Sequence, residues 1–306
     1  MSSPAPPPPA GPPPVGPPGL PTRLWARCLL GGLALWLLAV LTTVTTQNTN
    51  LLPTLILLGS FLVPGCYVLW ACERHGGELG IGLLLGCFVV GGVLGVLGAS
   101  VLEYYLLYPS ATLFLGVGLI EEAVKGLALV LLVRRHRGIR GVRAGLVLGA
   151  AVGFGFAAFE SSGYAFNALF TVRGTISLRG LVETEVLRGL LAPFGHGLWT
   201  ALLGAALLGA RRDGRFHLTG RVWATYLGVA VLHALWDAMN GIAVWLVYRL
   251  TATGADRTLF EYGYLPRPTD RQKHLYTLFS DGGLLLVALA GVVWLLWCAR
   301  EARRPG

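Results

Sequence analysis

The chain has 306 residues, 54% of them hydrophobic and only 13% charged, where a soluble domain carries about 25% charged residues. That balance excludes a soluble globular protein and points to an all-α, polytopic helix bundle in a membrane. The net charge of +9 is spread over short loops between apolar stretches, so it reads as topological charge and not as a nucleic-acid footprint.

Residues 1–22 hold eleven prolines and no charge before Arg23. Such a segment cannot bury a core and is expected to be an extended, disordered cytoplasmic tail. It does not read as a signal peptide, because the charged and apolar regions begin only at Arg23 and the apolar run is too long.

About eight membrane spans are predicted: 24–46, 51–72, 79–107, 111–133, 142–170, 189–210, 221–249 and 278–299. Each reaches the roughly 20 residues needed to cross about 30 Å of hydrocarbon. The transmembrane bundle thus occupies 23–300, and 301–306 form a short basic tail. Glycines at four-residue spacing, Gly82/Gly86 and Gly91/Gly95 in the third span and Gly145/Gly149/Gly153 in the fifth, predict close helix approach within one bundle. The five cysteines lie in or beside spans without CxxC spacing and read as small packing residues. Arginine far exceeds lysine (Lys125 and Lys273 only), a hint of a GC-rich bacterial genome.

One set of loop flanks carries fifteen basic residues and the other eight, the eight mostly in the two long loops. By the positive-inside rule both termini are expected in the cytoplasm, with loops 171–188 and 250–277 outside. Glu183, Glu185 and the run Phe260-Glu261-Tyr262-Gly263-Tyr264 make these outer loops candidate substrate gates.

Four polar pairs at i,i+4 spacing interrupt the apolar spans: Glu121 with Lys125, Glu160 with Tyr164, His196 with Thr200, and His233 with Asp237. Each pair shares a helix face. Ionisable groups inside spans are costly and mark function. Counting about 1.5 Å per residue from flanking arginines puts Glu121 about 20 Å, Glu160 about 25 Å, and His196 and His233 about 18 Å from the inner face. The four estimates describe one polar layer in the outer half of the bilayer.

Carboxylates and histidines gathered at low dielectric suit water activation, since burial moves a carboxyl group toward the working range of a general base. Glu121 and Glu122 point about 100° apart on an α-helix of 3.6 residues per turn, so they divide the work. Glu122 is the expected base, with Glu121 positioning water or metal. Glu160, His196 and His233 match a three-ligand Zn2+ shell with one open position, and Asp237 is a further ligand or orients His233. Histidines and a glutamate can equally activate water without metal, and the residues alone leave both open. Each pair also has a structural reading: an ion pair for Glu121 with Lys125, a hydrogen bond for Glu160 with Tyr164, a packing role for His196.

Four motifs in order, Glu121-Glu122-Ala-Val-Lys125, Phe159-Glu160-Ser-Ser-Gly-Tyr164, His196-Gly-Leu-Trp-Thr200 and His233-Ala-Leu-Trp-Asp237, resemble the PrsW family of intramembrane proteases, relatives of the CAAX-protease and bacteriocin-processing superfamily. The resemblance covers about 51–250. It implies a membrane-embedded peptidase that cleaves a single-span, membrane-anchored substrate in regulated proteolysis. The family's best-known role is first-site cleavage of a transmembrane anti-sigma factor on the extracytoplasmic side. Proton relays built from the same residue types also serve carriers, so a proton-coupled transporter or a non-catalytic scaffold is the competing expectation. A carrier of that kind carries repeated halves or interrupted helices, and no such symmetry is visible in the sequence.

Overall fold

A computed structural model describes residues 23–170, 175–261 and 267–301. The proline-rich tail, most of the aromatic run at 260–264 and the basic residues after 301 lie outside them. Among the described residues ten α-helices follow one another: α1 Leu24–Thr46, α2 Leu52–Leu79, α3 Ile81–Leu106, α4 Leu113–Val133, α5 Val142–Ala168, α6 Leu178–Leu191, α7 His196–Gly209, α8 Gly220–Thr251, α9 Gly254–Glu261 and α10 Asp270–Glu301. No strand is present among the described residues, only two isolated bridges, Phe170 with Ile176 and Arg212 with Arg215.

Among the described residues seven helical segments are long and apolar enough to cross a membrane. The α4 helix, 21 residues long, is apolar except for Glu121, Glu122 and Lys125, so its charges alone set it apart from the others. Large aliphatic side chains such as Leu30, Leu38, Leu97, Leu286 and Val293 are exposed, as expected where hydrocarbon replaces water as the solvent. The chain is a multi-pass membrane protein.

The core is built around α5, which packs along α7, α3 and α2. Its glycine row explains the closeness. A Cβ on Gly145, Gly149 or Gly153 would fall on the backbone of α7 at Gly204, Thr200 and His196 respectively. Removing those side chains lets the two backbones touch, and it fixes His196 and Thr200 against α5. The α4–α8 contact works in the same way, with Gly118 set against the carbonyl of Ala230. In α3, Gly91 and Gly95 meet Val152 and Phe156 of α5, but Gly82 and Gly86 face open space. Glycine spacing there predicted a contact that no neighbouring helix fills.

Two sequence expectations change. The predicted outer loop 171–188 contains most of α6, which starts at Ser177, whose hydroxyl accepts from the Gly180 N–H. Its charges are not all solvated: Glu185 is buried and accepts from Trp36 Nε1 at 2.7 Å, and Arg188 turns inward. The predicted span 189–210 is therefore the second part of a longer segment, Leu178–Gly209, broken at a short 3-10 turn over Ala192–Phe194 containing Pro193. The break starts α7 at His196 itself. The other long loop, 250–277, holds α9 and the first turns of α10.

Polar clamps hold the ends of the bundle. Glu73 of α2 accepts from the backbone N–H groups of Arg23 and Trp25 at the start of α1 (3.1 and 3.0 Å). Arg211, buried after α7, donates to the carbonyls of Val133, His136, Ile139, Arg134 and Gly214 at 2.8–3.3 Å. Arg221 of α8 binds Glu301 of α10 through two hydrogen bonds. The five cysteines are free and all but Cys28 are buried, in keeping with a packing role.

Candidate active site

The four motif helices bring their polar side chains to one place. Lys125, wholly buried, lies at the centre. Its ammonium donates to Glu121 Oε2 at 3.0 Å, to Glu122 Oε1 at 2.9 Å and to His196 Nδ1 at 2.8 Å. The same ammonium lies 3.9 Å from the centre of the Phe156 ring. The i,i+4 pair read from the sequence is thus one arm of a three-way contact, and the arm to Glu122 is at i,i+3.

The two adjacent glutamates take opposite sides of His233. Glu122 Oε1 is 3.2 Å from His233 Nδ1, and its other oxygen accepts from Thr200 at 3.4 Å. Glu121 Oε2 faces the far side, 3.5 Å from His233 Nε2 and 3.8 Å from His196 Nδ1. Trp199 stacks on the His233 ring at 4.7 Å between centroids, and the two imidazoles stand 4.9 Å apart. Trp199 is thus the floor that holds the ring plane of His233.

Glu160 is not hydrogen-bonded to Tyr164 among the described contacts. Its Oε2 meets His196 Nε2 at 3.0 Å and accepts from Arg188 of α6. Arg188 also donates to Ser161 at 2.7 Å, and its guanidinium covers the Tyr164 ring at 4.2 Å. Thr200 likewise serves Glu122 and not His196. Asp237 Oδ2 lies 3.3 Å from His233 Nε2.

Hydrogen bonding assigns the tautomers. With Lys125 charged, His196 Nδ1 accepts, so its Nε2 carries the proton that goes to Glu160. Glu122 takes the Nδ1–H of His233 and leaves Nε2 as a lone pair. That Nε2 is buried, makes no hydrogen bond, and yet faces carboxylate oxygens of Glu121 and Asp237. A lone pair held against two carboxylates needs positive charge between them, either a proton or a metal ion. The charge count agrees. Glu121, Glu122, Glu160 and Asp237 carry −4 against +2 from Lys125 and Arg188, a deficit of two when both imidazoles are neutral.

Glu121, His196 and His233 each offer a ligand atom within 4.8 Å of the others, and their donor types suit a metal centre with an open position. A tetrahedral ion with bonds of about 2.0–2.1 Å separates its ligands by roughly 3.3–3.4 Å, close to the Glu121 distances to both imidazoles. The set therefore fits a metal. The sequence reading put Glu160 in the third ligand place. In the structure Glu121 stands with the two histidines, and Glu160 is held by Arg188 on the far side of His196.

Exposure grades across the cluster from 0% for the Glu122 side chain to 29% for Asp237. Beside its open edge lies a cavity of about 250 Å3 lined by Glu160, Tyr164, Arg188, His196, Asp237 and Asn240. Arg188 is the member that the sequence reading missed, because its segment was read as a loop. The helical N-cap at Ser177 and the buried Leu181 one turn on were the local signals. Glu103 of α3 also has one buried oxygen without a partner among the described residues.

A family model described as PrsW family intramembrane metalloprotease matches residues 80–254. Protease PrsW of Geobacillus kaustophilus (strain HTA426) is 30% identical over 132 residues, 42% of this chain and 52% of that protein. The chain spans about half the length of this curated relative. Its bacterial source agrees with the origin read from the arginine bias. No solved structure matches.

Proposed function

The chain belongs to the PrsW family of intramembrane metalloproteases, and from that premise we propose that the cluster hydrolyses a peptide bond of a single-span membrane protein, near the extracytoplasmic side. The observation that carries this reading is the paired arrangement around His233. Glu122 fixes one ring nitrogen, while Glu121 and an unpartnered Nε2 face a common point beside an accessible cavity.

The roles follow from the contacts. Glu122 is fully buried and engaged at both oxygens, so it orients His233 and shares the charge of Lys125. Glu121 is the general base: it accepts a proton from the water whose oxygen attacks the scissile carbonyl carbon. When the C–N bond breaks, that proton goes to the departing amine nitrogen. His196 is held between Glu160 and Lys125, and Asp237 supports His233 from the open edge. Where zinc is bound instead, Glu121, His196 and His233 would hold it and it would supply Lewis-acid charge to the carbonyl oxygen, with Glu121 then positioning the water as a ligand in place of its base role. Metal there would take the His196 Nδ1 lone pair and the Glu121 oxygen now offered to Lys125, whose ammonium would keep Glu122.

The expected orientation has both termini in the cytoplasm, which sets the cavity beside Asp237 and Arg188 toward the outer face. A transmembrane anti-sigma factor is a substrate of the right kind: one span, with an extracytoplasmic stretch that can reach the cavity. The test compares membrane-protein fragments from cells making wild type or Glu121→Gln at matched levels. The proposal requires at least one single-span protein to be shortened on its outer side with wild type only. Identical fragments from both, with both proteins folded, would overturn the assignment of Glu121.

A further inference from the structure

At the end of the bundle where α2 stops and α5 begins lies a second cavity, of about 490 Å3, remote from the motif residues. Its polar wall is His75 and Glu78 from α2, Arg140 from the connection before α5, and Arg143 from the first turn of α5. Its apolar wall includes Ile139 and Val147.

Three independent features of this wall favour an anion. The first turn of α5 has Gly141 as its N-cap and no side chain capping it, so its free N–H groups present the positive end of a 27-residue helix. Arg140 and Arg143 flank that turn, exposed and without a hydrogen bond or ion pair among the described residues. His75 is 92% buried by its 8% exposure, lines the cavity, and has no hydrogen-bond partner among the described residues; only the Trp70 ring stands edge-on to it at 5.6 Å. Its ring nitrogens are reached through the cavity, where the oxygens of an anion would meet them. Glu78 opposes one of the two arginines and leaves the wall at +1, to which the helix end adds about half a charge. The charged groups that act on His75 are Arg143, Glu78 and Arg74.

We infer that this cavity binds a phosphate group, through the arginine forks, the α5 N–H groups and His75. Arginine guanidinium matches phosphate oxygens two at a time, and helix N-termini accept phosphate readily. Two sources offer that chemistry, the headgroup of an anionic phospholipid and free phosphate. The aliphatic wall and the position at the end of apolar spans suit the lipid, whose glycerol region would lie on Ile139 and Val147.

The experiment uses the full chain purified in a phosphorus-free maltoside detergent. Dihexanoyl-phosphatidylglycerol and inorganic phosphate are titrated separately and binding is read by 31P line broadening. Saturable binding to wild type, weakened at least tenfold in Arg140→Gln/Arg143→Gln, is the expected result. The pair Arg134→Gln/Arg135→Gln, on the same basic connection but outside the cavity, should bind as wild type does. Tighter binding of the lipid than of phosphate identifies a headgroup site; equal binding identifies a free-phosphate site. His75→Asn, which keeps a polar group at the floor, should weaken binding less than the arginine pair and serves if that pair does not fold. Absence of saturable binding to wild type, or equal weakening by the Arg134/Arg135 control, would overturn the inference, the latter by reducing the site to diffuse surface charge.

Discussion

Replacing Lys125 by Met tests the centre of the cluster. Lys125 is wholly buried, and its ammonium touches both Glu121 and Glu122, which also flank His233. Methionine nearly matches its volume, so little cavity forms and the cost is electrostatic. Removing one partner of a buried pair costs about 3–5 kcal/mol, because the remaining charge stays buried without compensation. Two carboxylates lose a partner here, so Lys125→Met should fall at or above the upper end of that range, a change of about five thousandfold or more in the unfolding equilibrium. The double variant Lys125→Met/Glu122→Gln removes one of the stranded charges and should recover a large part of the loss. Reversible unfolding in mixed micelles, monitored by tryptophan fluorescence on chelator-treated protein, measures both. Added Zn2+ should restore Lys125→Met more than wild type, since a dication at Glu121 replaces the lost positive charge. A single variant within about 1 kcal/mol of wild type in the absence of metal would refute the placement of Lys125 as the counter-charge of both glutamates, since exposed pairs are worth about that much.

Other outcomes follow from particular contacts. Gly153→Val should displace His196, because a side chain there meets the His196 carbonyl; lost cleavage with a lowered unfolding midpoint is expected, and unchanged activity would contradict the α5–α7 contact. Trp36→Phe removes the donor that Glu185 uses and should cost about 1–3 kcal/mol, whereas Glu185→Gln, which retains an acceptor and discards a buried charge, should be neutral or stabilising in the same unfolding assay. Arg211→Met strands carbonyls that five hydrogen bonds now satisfy and should cost about 3 kcal/mol or more, seen as early unfolding and protease sensitivity of the 134–141 and 210–219 connections. Arg188→Gln leaves Glu160 with His196 alone and alters the cavity wall; a reduced cleavage rate is expected, and an unchanged rate would contradict a role for Arg188 at the site.

Much of this site can be read directly from spacing. Intramembrane carboxylates and histidines are rare enough that Glu121, Glu122, Glu160, His196, His233 and Asp237 stand out without any fold, and the structure gathers all six. The glycine row Gly145/Gly149/Gly153 was legible for the same reason, since only close backbone approach rewards that repeat. What spacing does not contain is which neighbour each group turns to. Glu160 and Thr200 sit at i,i+4 from Tyr164 and His196, yet bind Arg188 and Glu122, because partners on adjacent helices are nearer the required geometry. The division of labour between Glu121 and Glu122 depends on which face of His233 each reaches, a tertiary fact. The segment 178–188 misled because its charges look solvated in sequence; Trp36 and Glu160, distant in the chain, are what permit Glu185 and Arg188 to be inside. Gly82 and Gly86 show the converse, a motif that no helix among the described residues packs against.

The most direct measurement places purified wild type and Glu121→Gln in liposomes with a panel of single-span segments, in water enriched in 18O, and analyses the fragments by mass spectrometry. Wild type should yield a defined pair of fragments with the label in the new carboxylate, and Glu121→Gln, equally folded, should yield none. Labelled cleavage by Glu121→Gln at the wild-type rate would contradict the assignment of Glu121 as the group that activates water.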